Sequence, residues 1–341
     1  MSNNAIRKQD MPDPRQPLLA DDNHHPFRVI ACVGASPASA AVIPHAGAVS
    51  QALGGVLSLV HVIEPEGALA PQDPVAWDIR KREANLYVSE LARRFGATAK
   101  IAGTQILEGR IAERIGEYSD GRRDGITALC RCETAASGRL GETVRRVLEN
   151  TDGSLLVVPA VAETLNAQYR RIMVPLDGSP IAESALPIAV RLAADQGAEL
   201  ALVHATPRFD FIHGGPPDVQ DIELQNRLSR RGKRAASDYL ARIKESLSAS
   251  DVSVDTVILE EGDVRRRLVE AVSSQAADLL VISSHGQSGH ADVPAGHVSH
   301  YMLAHVGIPV LMVRRPRPAG AQRFYADVQS EGVRRPHENS A

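Results

Sequence analysis

The chain is written twice, and this constrains its fold more than any other feature. Arg28–Ala46 (RVIACVGASPASAAVIPHA) falls under Arg171–Ala189 (RIMVPLDGSPIAESALPIA) at a constant offset of 143 positions, counted from Arg28 to Arg171. Ser36-Pro37 then lands on Ser179-Pro180, Gly54 on Gly197, and Leu59-Val60-His61 on Leu202-Val203-His204. Further on, Glu108-Gly109 matches Glu261-Gly262 ahead of a helical run, and Leu155–Val158 matches Val310–Val313. A repeat of roughly 140 residues is a tandem domain, too long for a solenoid unit. Each copy reads strand, helix, strand, then strand-helix-strand-helix-strand. Its short apolar strands lack polar alternation, as in a parallel sheet covered on both faces. The expected fold class is α/β, with two tandem doubly wound parallel five-stranded sheets.

A length of 341 residues accommodates two such units. Residues 1–26 and 316–341 are polar and proline-bearing and are expected to be disordered tails. The first unit is placed at 27–160, a linker at 161–169 and the second unit at 170–315.

Two segments of the second copy carry chemistry. In Asp278–Val313 the apolar run Leu279–Ile282 breaks at Ser283-Ser284-His285-Gly286. Gly296 then opens a helical stretch, Val298–His305, which Gly307 and Pro309 end. A glycine loop between a strand tip and a helix start gathers backbone N–H groups at the positive helix end, a geometry that suits phosphate. In Arg170–Ala189 the strand Ile172–Leu176 runs into Asp177-Gly178-Ser179-Pro180, with Ser179 as N-cap and Pro180 at the first helical position. Carboxyl ends of parallel strands form a ligand crevice, and Asp177 and the Gly286 loop both belong there. Asp177 also reads as a turn residue that bonds its own backbone.

These segments, VPLDGS near a unit's start and a glycine loop before its last strand, resemble the universal stress protein family. The family's nucleotide-binding members carry Gly, two residues, Gly, nine residues, Gly, then Ser or Thr. This chain has Ser283, two residues, Gly286, nine residues, Gly296, then His297. The spacing matches; Ser283 and His297 depart from the usual identities. The resemblance implies a nucleotide-binding, α/β-hydrolase-like fold with strand order 3-2-1-4-5, ATP as ligand and Mg accompanying it. It places the cofactor-binding positions at Asp177, Ala205, Gly286, Gly289, Gly296, His297, Val298 and Ser299. Asp177 would hold ribose or a metal-bridged part of the nucleotide, and the Ala205 backbone would meet adenine. Gly286 and Gly296 would let the main chain approach phosphate, and Ser299 would offer it a hydroxyl. The implied role is stress response or signalling. The other readings are a protein-interaction scaffold with both sites decayed and a slow ATP hydrolase.

The copies have diverged unequally. Gly34 replaces Asp177, Leu129 and Cys132 stand at Ser283 and Gly286, and Glu142 follows Gly141, the counterpart of Gly296. A carboxylate at that helix start repels phosphate. The first unit is therefore expected to be structural, and the resemblance implies the built-in partner of an intramolecular pseudo-dimer, paired through Leu155–Val158 and Val310–Val313, within a larger homo-oligomer or alone.

Cys32, Cys130 and Cys132 lie at the ends of strands that are neighbours in the family's order. They are expected either to converge near His61 as a redox or soft-metal site or to act as small buried hydrophobes. His285, His290, His297, His300 and His305 are dense, yet their spacing, with Asp292 as the one added carboxylate, is no recognised zinc pattern. No metal site and no catalytic residue are assigned. The stretch Gly286–His297 has no Lys or Arg to neutralise a phosphoryl transition state.

Charge excludes a general nucleic-acid footprint: Lys plus Arg is 38 and Asp plus Glu 41. Arg227, Arg230, Arg231, Lys233 and Arg234 form one local basic run, read as a solvated helix face. No segment is long and apolar enough to span a membrane, and no signal-peptide pattern opens the chain. Three cysteines do not suggest a disulfide framework. The expected location is the cytoplasm.

Overall fold

A computed structural model describes residues 27–65, 73–120, 125–131, 140–160, 167–207, 219–286 and 295–314. Both expected tails and residues 161–166 of the expected linker lie outside these residues. The first half runs β1 (Arg28–Cys32), α1 (Val42–Ala52), β2 (Val56–Ile63), α2 (Pro74–Ala99) and β3 (Ile101–Glu108). It continues with α3 (Ile111–Asp120), β4 (Ile126–Arg131), α4 (Glu142–Asn150) and β5 (Ser154–Pro159). The second half runs β6 (Arg171–Pro175), α5 (Pro180–Glu183), α6 (Leu186–Gln196), β7 (Glu199–Pro207) and α7 (Val219–Ser246). It ends with β8 (Val254–Gly262), α8 (Val264–Ser274), β9 (Leu279–Ser283), α9 (His297–His305) and β10 (Val310–Val313).

Local chemistry explains the boundaries. Pro74 starts α2 behind Asp73, whose carboxylate accepts from the Val75 N–H, and Asp263 caps α8 in the same way. Helix α6 stops at Gly197, which takes the left-handed φ of 64° needed to close its last turn. Gly54, its repeat counterpart, has the same φ after α1.

Each half has the strand order expected of it, but the sheets are not separate. One ten-stranded sheet runs β3-β2-β1-β4-β5-β10-β9-β6-β7-β8. All pairs within a half are parallel, whereas β5 and β10 pair antiparallel, with Val310 opposite Val157 and Leu311 opposite Leu156. Every residue of both strands is buried. Two apolar edges left apart would expose unpaired backbone groups, and joining them satisfies both.

Helices α1, α2, α6 and α7 cover one face of the sheet and α3, α4, α8 and α9 the other. The first face forms one core through both halves: Ile43 and Ala46 of α1 share it with Leu186 and Ala189 of α6. Tyr169, which the sequence places at the end of the linker, is buried there and hydrogen-bonds the His45 Nδ1 at 2.8 Å. Among the described residues, no helix is long and apolar enough to cross a membrane.

Candidate functional site

The carboxyl ends of β6, β7 and β9 open into a cleft of about 460 Å³, within the range typical of small-molecule sites. Asp177, Ala205, Gly286, Gly296, His297, Val298 and Ser299 all line it. Gly289 lies outside the described residues. The walls are otherwise mainly apolar, with Leu176, Val203 and Ile282 from strand ends and Val264 and Leu268 from α8. Sequence reasoning passed over the α8 pair. The signal was there, because the two are four apart on the helix that follows Gly262.

Alternation along β7 sorts its side chains. Val203 and Ala205 face the cleft, whereas His204 points to the other layer, where its Nδ1–H donates to the Leu176 carbonyl at 2.8 Å. His61 does the same for Val33 in the first half, also at 2.8 Å. This pair pins the end of each first strand against the second, so it is structural.

Asp177 is the turn residue that its sequence allowed, and it also lines the cleft. Its Oδ1 accepts from the Ser179 N–H at 2.9 Å, while Ser179 Oγ accepts from the Ala182 N–H at 3.1 Å. Between them Gly178 takes a φ of +85°, which favours glycine. The other carboxylate oxygen lies against Gly286, where a Cβ would sit 2.2 Å from Oδ2. A side chain at this position would have to push the carboxylate aside. Gly296 differs: its φ is −66°, and a Cβ would meet nothing closer than 3.5 Å. Its N–H is also committed, donating to the Ser284 carbonyl at 2.7 Å.

Ser299 is buried, and its hydroxyl proton goes to the Ser283 carbonyl at 2.8 Å. In this arrangement it presents only lone pairs, which do not suit phosphate. Helix α9 has no side-chain cap, because its N-cap is Gly296. The amides of His297, Val298 and Ser299 form its first turn, where intrahelical partners are lacking by geometry. His297 is exposed at the cleft's mouth. Among the described residues, the lining contains one carboxylate and the imidazoles of His285 and His297, and neither Lys nor Arg.

The first half lacks this arrangement. At the place of Asp177, the Gly34 N–H and carbonyl both bond Ser39 Oγ, at 3.0 and 2.9 Å. Glu64 accepts from the Ile111 N–H at 2.8 Å, filling the start of α3. Glu142, at the start of α4, pairs with Arg146 at 2.6 Å and Arg145 at 2.9 Å. Hydrogen bonds from Arg146 and then Arg145 hold its carboxyl below the usual range. The groove there, about 530 Å³, is lined largely by paired charges.

Cys32 and Cys130 do not converge as one of the two readings expected. Cys32 lies opposite Leu129 in the β1–β4 pairing and shares the core of α3 and α4. Cys130 is the next residue along β4, so it faces the other layer, and its thiol reaches the Ala38 carbonyl at 3.4 Å. Parallel neighbours in register share a face, and successive residues do not. Burial pushes the Cys32 thiol up to about 12. Cys132 lies outside the described residues, as do His290 and Asp292. Among the described residues, no group of His, Cys, Asp or Glu is placed to hold a metal ion.

Comparison with known proteins gives the same architecture. Residues 168–314 match the universal stress protein family. A universal stress protein of Mycobacterium tuberculosis is 23% identical over 294 residues, which cover 84% of this chain and 92% of that protein. One from Methanocaldococcus jannaschii is 27% identical over 149 residues, covering 44% of this chain and 84% of that protein. The solved structure of a universal stress protein from Archaeoglobus fulgidus superposes with a TM-score of 0.60 at 17% identity. It covers 85% of this chain and 96% of that one. Residues 168–314 are thus a universal stress protein domain, and with the strand order repeated in both halves the whole chain is similar to tandem members of that family.

Proposed function

We propose that the second half binds an adenine nucleotide, ATP with magnesium, in a stress-response or signalling role. The first half, ending near residue 160, acts as its fused pseudo-dimer partner in the cytoplasm. The observation that carries this reading is the contact between Asp177 and Gly286 in a cleft whose walls are otherwise mainly apolar. A carboxylate there can accept from ribose hydroxyls or meet a divalent ion, and the apolar walls suit a base. The open first turn of α9 would face the phosphates. Magnesium would supply the positive charge that the lining lacks. Efficient hydrolysis is not expected, because no Lys or Arg of the lining stands by the developing charge.

One observation favours a second reading, a scaffold with a retired site. The Gly296 N–H and the Ser299 hydroxyl both bond within the protein. Calorimetric titration with ATP and magnesium, on wild type and Asp177→Ala, separates the two. Uptake near one nucleotide per chain, lost in the variant, supports the nucleotide site. No heat and no thermal shift at millimolar ATP supports the scaffold.

A further inference from the structure

The two halves grip each other at the last turns of two helices. Arg131, the final residue of β4, donates from Nη1 to the Leu303 carbonyl at 2.6 Å and from Nη2 to the Val306 carbonyl at 2.8 Å. Both carbonyls belong to the end of α9 in the other half. Arg314, just after β10, does the reverse: its guanidinium donates to the Leu148 carbonyl at 2.8 Å and to that of Thr151, at the end of α4. The final carbonyls of a helix have no intrahelical partner, and a cation there is favoured by the helix dipole. Arginine's planar fork reaches two of them at once.

The two grips are alike in chemistry but not in what they hold. Helix α4 begins at Glu142, in the charged groove of the first half. Helix α9 begins at His297, in the wall of the cleft. Its nine residues form a rod about 13 Å long, with the cleft at one end and Arg131 at the other. Met302 and Leu303 bury the middle of this rod against the sheet, but apolar burial is non-directional and leaves its axial position loosely set. Directed bonds set it: Ser299 and Gly296 at the start, Arg131 at the end. In the repeat alignment that sets Leu129 on Ser283, Arg131 falls on His285, which lines the cleft of the second half. The first copy uses the corresponding position to hold the other copy's helix.

We infer that Arg131 is a positioning residue for the second-half site. By holding the last turn of α9 it sets where the His297, Val298 and Ser299 amides stand, so the first half tunes ligand affinity in the second. This rests on the nucleotide reading above.

The test is calorimetric titration of ATP with magnesium into wild type, Arg131→Ala, Arg131→Lys and Arg314→Ala, with a thermal melt of each. Arg131→Ala is expected to bind about two- to thirtyfold more weakly, the span of couplings carried through packed elements. Arg131→Lys, which keeps the charge but not the fork, is expected to fall between Arg131→Ala and wild type. Arg314→Ala is expected to melt lower, as Arg131→Ala does, yet to bind as wild type. That split is what a merely structural role would not produce. Unchanged affinity in Arg131→Ala, or an equal loss in Arg314→Ala, overturns the inference and leaves the nucleotide reading standing. Wild type that takes up no nucleotide overturns both. Should Arg131→Ala fail to fold, Arg131→Lys against Arg314→Ala decides in the same terms.

Discussion

Acid should weaken this fold through one histidine at the junction of its halves. His45 lies in α1, stacked on Tyr169 with ring centroids 5.8 Å apart and its Nδ1 2.8 Å from the tyrosine oxygen. Burial lowers its pKa from 6.5 to about 4. A histidine depressed in this way stays neutral in the folded protein while the unfolded chain takes up a proton. Its contribution to stability is therefore complete above 6.5 and is lost as pH falls toward 4. With these two pKa values, the unfolded state gains about 2 kcal/mol over the native state between pH 7 and pH 5. His45→Gln keeps a polar partner for Tyr169 and removes the titration. Urea unfolding at pH 7 and pH 5 gives the comparison: the wild-type midpoint should fall by the equivalent of about 2 kcal/mol more than the variant's. Equal losses in the two proteins would refute the assignment to His45.

Two further outcomes follow from the geometry. Gly286→Ala would put a Cβ 2.2 Å from Asp177 Oδ2. The carboxylate must swing out and release the Ser179 N–H, costing about 1 kcal/mol and abolishing nucleotide uptake. Thermal melts should show Asp177→Ala/Gly286→Ala less impaired than the sum of its single variants; strict additivity would mean that the clash is relieved elsewhere. Cys32, with its thiol pushed up to about 12 by burial, should resist alkylation at pH 8 in the native protein. Peptide mapping after mild peroxide should show no Cys32–Cys130 linkage, and finding one would contradict the opposite-face arrangement.

Much of the site could be read from local spacing. Asp177 and Gly286 lie far apart in sequence, yet each stands at a strand's carboxyl end ahead of a helix, and that position alone sends both to one crevice. What each atom does there was not legible. Gly286 abuts the Asp177 carboxylate, whereas Gly296 is not crowded and its N–H is committed to Ser284. The Ser299 hydroxyl is committed to Ser283. These are pairings between residues brought together by folding, and no spacing rule reports them. The cysteine convergence failed for a related reason: Cys32 and Cys130 sit on adjacent strands, but their facing depends on the β1–β4 register.

By itself the sequence determined that this protein is a duplicated α/β chain whose second copy keeps the Asp177 turn and the Gly286–Gly296 spacing, which its first copy has altered. Apolar runs, caps, glycines and the repeat are local signals, and they survive being read one segment at a time. Only the tertiary structure decided the antiparallel register in which the two expected edges join into one sheet. It also decided which layer each cysteine enters, and that Arg131 and Arg314 each hold a helix of the opposite half. Those outcomes depend on strand register and edge pairing, which belong to residues distant in sequence and exist only once the β5 and β10 edges meet.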